Sequence, residues 1–316
     1  LSINCVDPFY TGAIAQDIVG AVRLAPVNPG VMMADDIARY RAVYREPVRS
    51  SYRGYEIVGM NMPTSGGASL AMMLNILEGV DLPSMAWGSL GAVSRIADAQ
   101  NIVFADRNAY MGDADFVSVP LGELLRKDYA RVRRALMRPF NAVLSPVAPG
   151  DFGMLPGVGS AEGGHTTHFS IVDDERNVVS VTTTIERYFG SAMTVPGRGF
   201  LLNNELTDFE ARAISPQGTP VANAAAGGVR PRRTALGDDA ATLGGKRPRS
   251  SMTPTIVLRD GQPVLAAGSP GGSTIIGTTL NVILNVLDFE MDPQEAVNAP
   301  RAIARNGAVD LESRLF

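Results

Sequence analysis

The chain has 316 residues, enough for a sizeable core and one or two domains. Hydrophobic residues at 45% against 19% charged mark a folded globular protein rather than a disordered one, and a net charge of −4 leaves no electrostatic footprint for nucleic acid. No apolar run reaches the ~18 residues of a membrane-spanning helix, and the single cysteine, Cys5, excludes an internal disulfide.

The opening LSINCVDPFY lacks the basic start, apolar core and small-residue cleavage site of a signal peptide. From Pro8 to Val22, the residues Phe9, Ile14, Ile18, Val19 and Val22 recur at helical spacing and predict one amphipathic helix. Pro26 and Pro29 then break the chain. Ile37, Tyr40 and Val43 predict a second short helix, with Asp35 and Asp36 in its first turn. Tyr55 to Met60 reads as a strand. Thr64-Ser65-Gly66-Gly67 reads as a capped turn opening a helix through Leu70, Met73, Leu74 and Leu77. It lacks the GK[ST] ending of a phosphate-binding loop and is assigned no chemistry. Ser89 to Tyr110 is a longer helix. In the turn Gly112 to Phe116, Asp113 and Asp115 have no third ligand nearby, so a solvated turn is expected rather than a metal site. Leu121 to Met137 reads as one basic amphipathic helix with a solvated face.

Residues 139–164 are rich in Pro and Gly and read as a linker. A hairpin comes next. His168 to Val172 and Val178 to Ile185 are rich in β-branched and aromatic residues, and the polar stretch 173–177 joins them. If the hairpin is symmetric about Glu175, Val172 faces Val178, Ser170 faces Ser180, His168 faces Thr182 and Thr166 faces Thr184. Side chains alternate along a strand, so Thr166, Thr184 and Glu186 would share one face at its open end. A slip of one residue would undo this. Gly199 to Asn204 predicts a short strand, trailed by Glu205 and Asp208, by themselves the acidic start of a surface helix. Residues 210–245 are poor in large apolar side chains and read as a mobile loop or disordered insert. Beyond Ser250 and Ser251, strands are expected at Thr255 to Leu258 and Val264 to Gly268. Ser269-Pro270-Gly271-Gly272-Ser273 opens a helix, where backbone N–H groups point at anions. Asp292 starts one more helix.

The only histidines are His165 and His168. Three apart on a strand, they point to opposite faces and cannot chelate one ion, and no Cys or carboxylate pattern accompanies them; no metal is expected. The same scarcity makes a Ser-His-Asp triad hard to build and favours a mechanism without a histidine base.

The strings GGHTTHFSIVD, NVVSVTTTIERYFGS, GFLLNNELTDF, KRPRSSMTPTIV and AAGSPGGSTII, in that order, resemble the γ-glutamyltransferase family of N-terminal-nucleophile hydrolases. VDPFYTGAIAQDI, the strand before PTSGG and the ADR…GDADF passage extend the likeness, which runs from Val6 to Ala304. It implies an α+β fold, a four-layer αββα sandwich incomplete at both ends. The first half of the large subunit and a short C-terminal piece would be missing, and with the former an export signal. The resemblance implies a periplasmic or secreted protein if the source is bacterial. Residues 1–165 would be the C-terminal part of the large subunit and 166–316 the small catalytic subunit. The two would pair after self-cleavage between His165 and Thr166.

By the same resemblance Thr166 is the nucleophile, and Thr184 hydrogen-bonds its amine or hydroxyl. The Gly271 and Gly272 N–H groups form the oxyanion hole. Glu205 and Asp208 hold the substrate α-amino group, and Glu186 helps bind the same α-amino acid end; Ser250 and Ser251 hold its α-carboxylate, aided in the family by an arginine from the part absent here. The substrate would be a γ-glutamyl compound such as glutathione, the acceptor water or an amine, with no cofactor. The chemistry of such a cut is simple. A threonine hydroxyl is a weak nucleophile that needs a base, and a free α-amine of pKa ~7.7–8.0 is one. A threonine at a chain start carries both; an internal Thr166 has only an amide. Two departures stand out: His165 replaces the expected Gln, Glu or Asp before the nucleophile, and residues 210–245 hold no tyrosine to cover the substrate. The rival readings are an acylase acting on a glutaryl or cephalosporin-type amide, and a non-cleaving relative that only binds amino-acid ligands.

Overall fold

The computed structural model describes residues 7–137, 145–152, 165–210, 221–225 and 245–315. The helix expected from Pro8 to Val22 is two pieces, α1 (Asp7–Tyr10) and α2 (Ala13–Arg23). They part at Gly12, where a Cβ would lie 2.8 Å from the Pro8 Cα, too close for any other residue. The next helix, α3 (Ala34–Arg39), stops short of Val43, because Tyr40 is already extended. Two strands come next: β1 (Val48–Tyr52), which the sequence pattern did not reveal, and β2 (Tyr55–Gly59). They form a hairpin through Arg53 and Gly54, both at positive φ.

Helix α4 (Gly66–Leu77) is buried along its whole length, as an all-round apolar helix must be. It packs on β1 and β2 and is flanked by three helices that follow it in the chain. Helix α5 (Leu90–Tyr110) starts at Ser89, whose hydroxyl accepts the Ala92 N–H at 3.2 Å. The basic helix expected over 121–137 is broken into α6 (Leu121–Leu124) and α7 (Lys127–Arg134), with Arg126 extended between them. Its face is not fully solvated: Arg133 is buried against Asp106 at 3.1 Å. Asp113 is likewise no solvated turn residue. It is fully buried, and its carboxylate accepts the N–H groups of Asp115 and Arg247 at 3.2 and 2.8 Å.

Within the expected linker, residues 145–152 are pinned to the body. Asn306 exchanges two hydrogen bonds with the Val147 backbone. Arg133 donates to the Ala148 carbonyl, and the Gly150 N–H donates to Asp106 at 2.7 Å. Residues 138–144 and 153–164 lie outside the described chain.

The hairpin is β3 (Thr166–Val172) and β4 (Val178–Thr184), paired in the expected register. Strands β5 (Thr255–Arg259) and β6 (Gln262–Ala267) join β2, giving a four-stranded antiparallel sheet ordered β1-β2-β5-β6. The short strand expected at Gly199 to Asn204 is only an isolated bridge between Thr194 and Leu201. Helix α8 (Ile275–Leu287) packs beside α4, and α9 (Pro293–Asn298) is closed by a reciprocal cap between Asp292 and Glu295. A last pair, β7 (Ala302–Ala304) and β8 (Val309–Leu311), lies against α5 and was not legible in the sequence. The architecture is α+β, with helices on one face of the main sheet. Of the loop expected at 210–245, residues 221–225 tuck in: Asn223 and Ala224 are buried, and Lys246 donates to the carbonyls of Ala222 and Ala224. Residues 211–220 and 226–244 lie outside the described chain.

Candidate active site

The register of β3 and β4 sets Thr166 opposite Thr184, and their hydroxyls meet at 3.3 Å. Thr184 has every hydrogen-bonding position filled. Its oxygen accepts from the Thr166 hydroxyl and from the Glu186 N–H at 2.8 Å, and its proton goes to the His165 carbonyl at 3.0 Å. One donor and two acceptors are all that a hydroxyl has. The chain can make this turn because Glu186 takes φ +73°, a left-handed conformation that is unfavourable for a residue with a Cβ by about 1–2 kcal/mol. The Glu186 side chain is buried; the Asn204 amide donates to its carboxylate, and the Arg187 Nε lies 3.5 Å away. His165 is held twice more: its N–H donates to the Glu186 carbonyl at 3.2 Å, and its ring stacks on Tyr188, centroids 3.4 Å apart at 24°.

The serine side is built by the segment after Arg249. It runs parallel to the residues just before α4, with a bridge between Thr64 and Ser250. The Ser65 N–H and hydroxyl both donate to the Ser250 carbonyl at 2.8 Å, and Thr64 donates to the Met252 carbonyl at 2.8 Å. Beneath them lies Arg107 of α5, fully buried. Its Nε donates to the Ser65 hydroxyl and its Nη2 to the Ser251 hydroxyl, both at 2.7 Å. Arg107 carries no role in the sequence motifs described above. A signal was present, since Arg107 falls three positions after Phe104 and three before Tyr110, on the apolar stripe of a buried helix. Asn204 was missed as well; next to Glu205 it carried no signal of its own.

Gly271 and Gly272 sit at φ +131° and +57°, where only glycine is at ease, just before α8. Asp208 is buried in a short 3₁₀ turn with Glu205 at its head. One cleft of about 250 Å³, part of it open to solvent, is lined by Thr166, Thr184, Glu186, Asp208, Ser250, Ser251 and Gly272. The register, the 205–208 turn, the serine segment and the α8 start thus bring seven expected residues to one wall. Glu205 and Gly271 adjoin that lining without forming it, and His165 hangs from Thr184 and Glu186. Among the described residues no group of three His, Cys, Asp or Glu side chains could hold a metal ion. Within the same residues no helix is long and apolar enough to cross a membrane.

The family model for gamma-glutamyltranspeptidase matches residues 1–316. The chain belongs to that family. A glutathione hydrolase proenzyme of Pseudomonas sp. (strain A14) is 38% identical over 95% of this chain and 48% of its own length. An acylase ACY 1 proenzyme of Pseudomonas sp. (strain SE83) is 36% identical over 98% of this chain and 49% of its own. The crystal structure of a cephalosporin acylase from Bacillus halodurans superposes with a TM-score of 0.77 at 24% identity, covering 98% of this chain and 50% of that one, a likeness of fold. The chain spans about half the length of the curated relatives it matches.

Proposed function

We propose that the protein carrying this chain is a self-cleaving γ-glutamyl acyltransferase or glutathione hydrolase with Thr166 as its nucleophile. Residues 1–165 then close the large subunit and 166–316 form the small one, which stay paired within an αββα sandwich. The observation that carries the reading is the relay from the Thr166 hydroxyl through Thr184 to the carbonyl of His165. It sets a nucleophile beside a polarised amide carbonyl, the first need of acyl transfer.

In self-cleavage the Thr166 oxygen bonds to the His165 carbonyl carbon. The bond from that carbon to the Thr166 nitrogen breaks, and the nitrogen receives the hydroxyl proton. Water then adds hydroxide to the carbonyl carbon and returns a proton to the Thr166 oxygen. The products are a His165 carboxylate and a Thr166 bearing a free amine. That amine is the base for turnover: it takes the hydroxyl proton as Thr166 attacks the γ-amide and hands it to the departing amine. Water or an acceptor amine resolves the acyl-enzyme. The Gly271 and Gly272 N–H groups face the developing oxyanion; one such donor contributes about 10²–10³ in rate. Glu186, Glu205 and Asp208 attract the α-ammonium. Ser250 and Ser251, the latter backed by the Arg107 guanidinium, take the α-carboxylate.

The test is intact mass and N-terminal sequencing of the purified protein. A fragment beginning TTHFS is expected from the wild type and none from Thr166→Ala, which should also lack turnover. Cleavage of that variant at 165–166 would overturn the assignment. The acylase reading has its own support, since one relative of near-equal identity bears that name. An acylase substrate without an α-amino group has no use for Asp208. On the glutamyl reading, Asp208→Asn raises KM at least tenfold for a γ-glutamyl anilide and leaves a glutaryl anilide unaffected.

A further inference from the structure

Three contacts hold the residue before the proposed cut, and all three come from one short stretch. Thr184 donates to the His165 carbonyl, the Glu186 carbonyl accepts the His165 N–H, and the Tyr188 ring lies against the imidazole at 3.4 Å and 24°. The two hydrogen bonds fix the backbone of His165 on both sides of its α-carbon. The stack fixes its side chain, so the residue cannot turn about its own backbone bonds without parting two rings. The positive φ of Glu186 lets residues 184, 186 and 188 reach the same target. Tyr188 has no other visible task. It is 75% exposed, supports no core, and its ring meets no other ring among the described residues.

We propose that Tyr188 is a positioning residue for self-cleavage: by stacking on His165 it holds the scissile carbonyl in line with the Thr166 hydroxyl. The proposal rests on the reading of Thr166 as the self-cleaving nucleophile. It also assigns a use to the histidine that stands where a Gln, Glu or Asp was expected: an aromatic ring there can stack. Tyr188 touches no reacting atom. It acts through His165, and its effect ends when the bond is cut and His165 leaves as a carboxylate end. Reaction within a bound pair is steep in geometry, so a loosened carbonyl should slow attack severalfold. A stacked aromatic pair corresponds to about a twofold to tenfold change.

The experiment tracks cleavage over time in the intact protein carrying this chain, made in a cell-free system and read by gel and intact mass. The variants are Thr166→Ala, Tyr188→Ala, Tyr188→Phe, His165→Ala, His165→Phe and the double variant Tyr188→Ala/His165→Ala. Truncating an exposed ring leaves no buried cavity, so the fold should survive; equal melting temperatures check this. Expected are a slowing of about twofold to tenfold in Tyr188→Ala and in His165→Ala. The double variant should be no slower than either single one. Near wild-type rates are expected for Tyr188→Phe and His165→Phe, which keep the stack and drop the polar atoms. Merely structural damage would add in the double variant and would not be rescued by phenylalanine. Wild-type speed in Tyr188→Ala, or additive losses, overturns the role of Tyr188 and leaves Thr166 standing. An uncut wild type overturns both.

Discussion

His168 points to the opposite side of β3 from Phe169, and its imidazole lies against Gly268 just beyond β6, where a Cβ would sit 2.2 Å from the Nδ1. Its Nδ1 meets the Thr182 hydroxyl at 2.9 Å. Burial there pushes its pKa below the ordinary histidine value of 6.5. Above about pH 6.5 the ring is neutral in folded and unfolded chains alike, and stability is unaffected. As pH falls from there, the unfolded chain takes up a proton that the folded ring resists, and stability is lost until the folded ring protonates too. The fall in melting temperature between pH 7 and pH 5.5 should therefore be smaller in His168→Asn than in the wild type; an unchanged slope would refute it. Thr166, Thr184 and Glu186 were legible as a cluster, because period-two alternation and a symmetric polar turn place them without further information. Arg107 was not read, since what it does depends on two hydroxyls brought over it by segments distant in sequence.

Among the elements, the start of α4 is fitted most tightly. A Cβ at Gly66 would meet the Met252 carbonyl oxygen at 2.2 Å and the Thr253 hydroxyl at 2.3 Å. Both belong to the segment that presents Ser250 and Ser251, so it must move or α4 must. Gly66→Ala should lower stability by about 1–3 kcal/mol, seen in thermal melts. It should also raise KM for a γ-glutamyl substrate more than it lowers kcat; an unchanged KM would show that the serine segment does not shift. The two glycines could be read as a turn, but Gly66 could not be read as the floor under residues 252–253. The same limit explains the other misses. Strand β1, with Arg49, Ser50 and Ser51, has no apolar alternation to betray it; β2 supplies the partner. The break between α6 and α7 also escapes periodicity. It is fixed by the Leu125 carbonyl accepting from Asn75 of α4 at 3.0 Å.

At the scale of the molecule, the two faces of the main sheet are covered unequally among the described residues. Helices cover one face of the main sheet, while Val58, Ile256 and Leu258 on the other are only half-buried and Val264 is exposed. On the hairpin Phe169, Ile171 and Val179 share an exposed face. Contiguous apolar surface of this kind binds other apolar surface. The 316-residue chain by itself should enhance the fluorescence of an apolar dye, and Ile171→Ser/Val179→Ser should diminish the signal; a dark wild type would mean that the face is closed in solution. The pinning of residues 145–152 by Asn306, Asp106 and Arg133 limits how far a cut end can travel. If the chain is cut at 165–166 as proposed, the 13 residues from 153 to 165 separate the new carboxylate end from that anchor. At ~3.3–3.6 Å per residue they span no more than about 45 Å. On the proposed cut, the freed end therefore stays tethered within that reach of its own former seat. Dilution would then not carry that end away; severing the tether would.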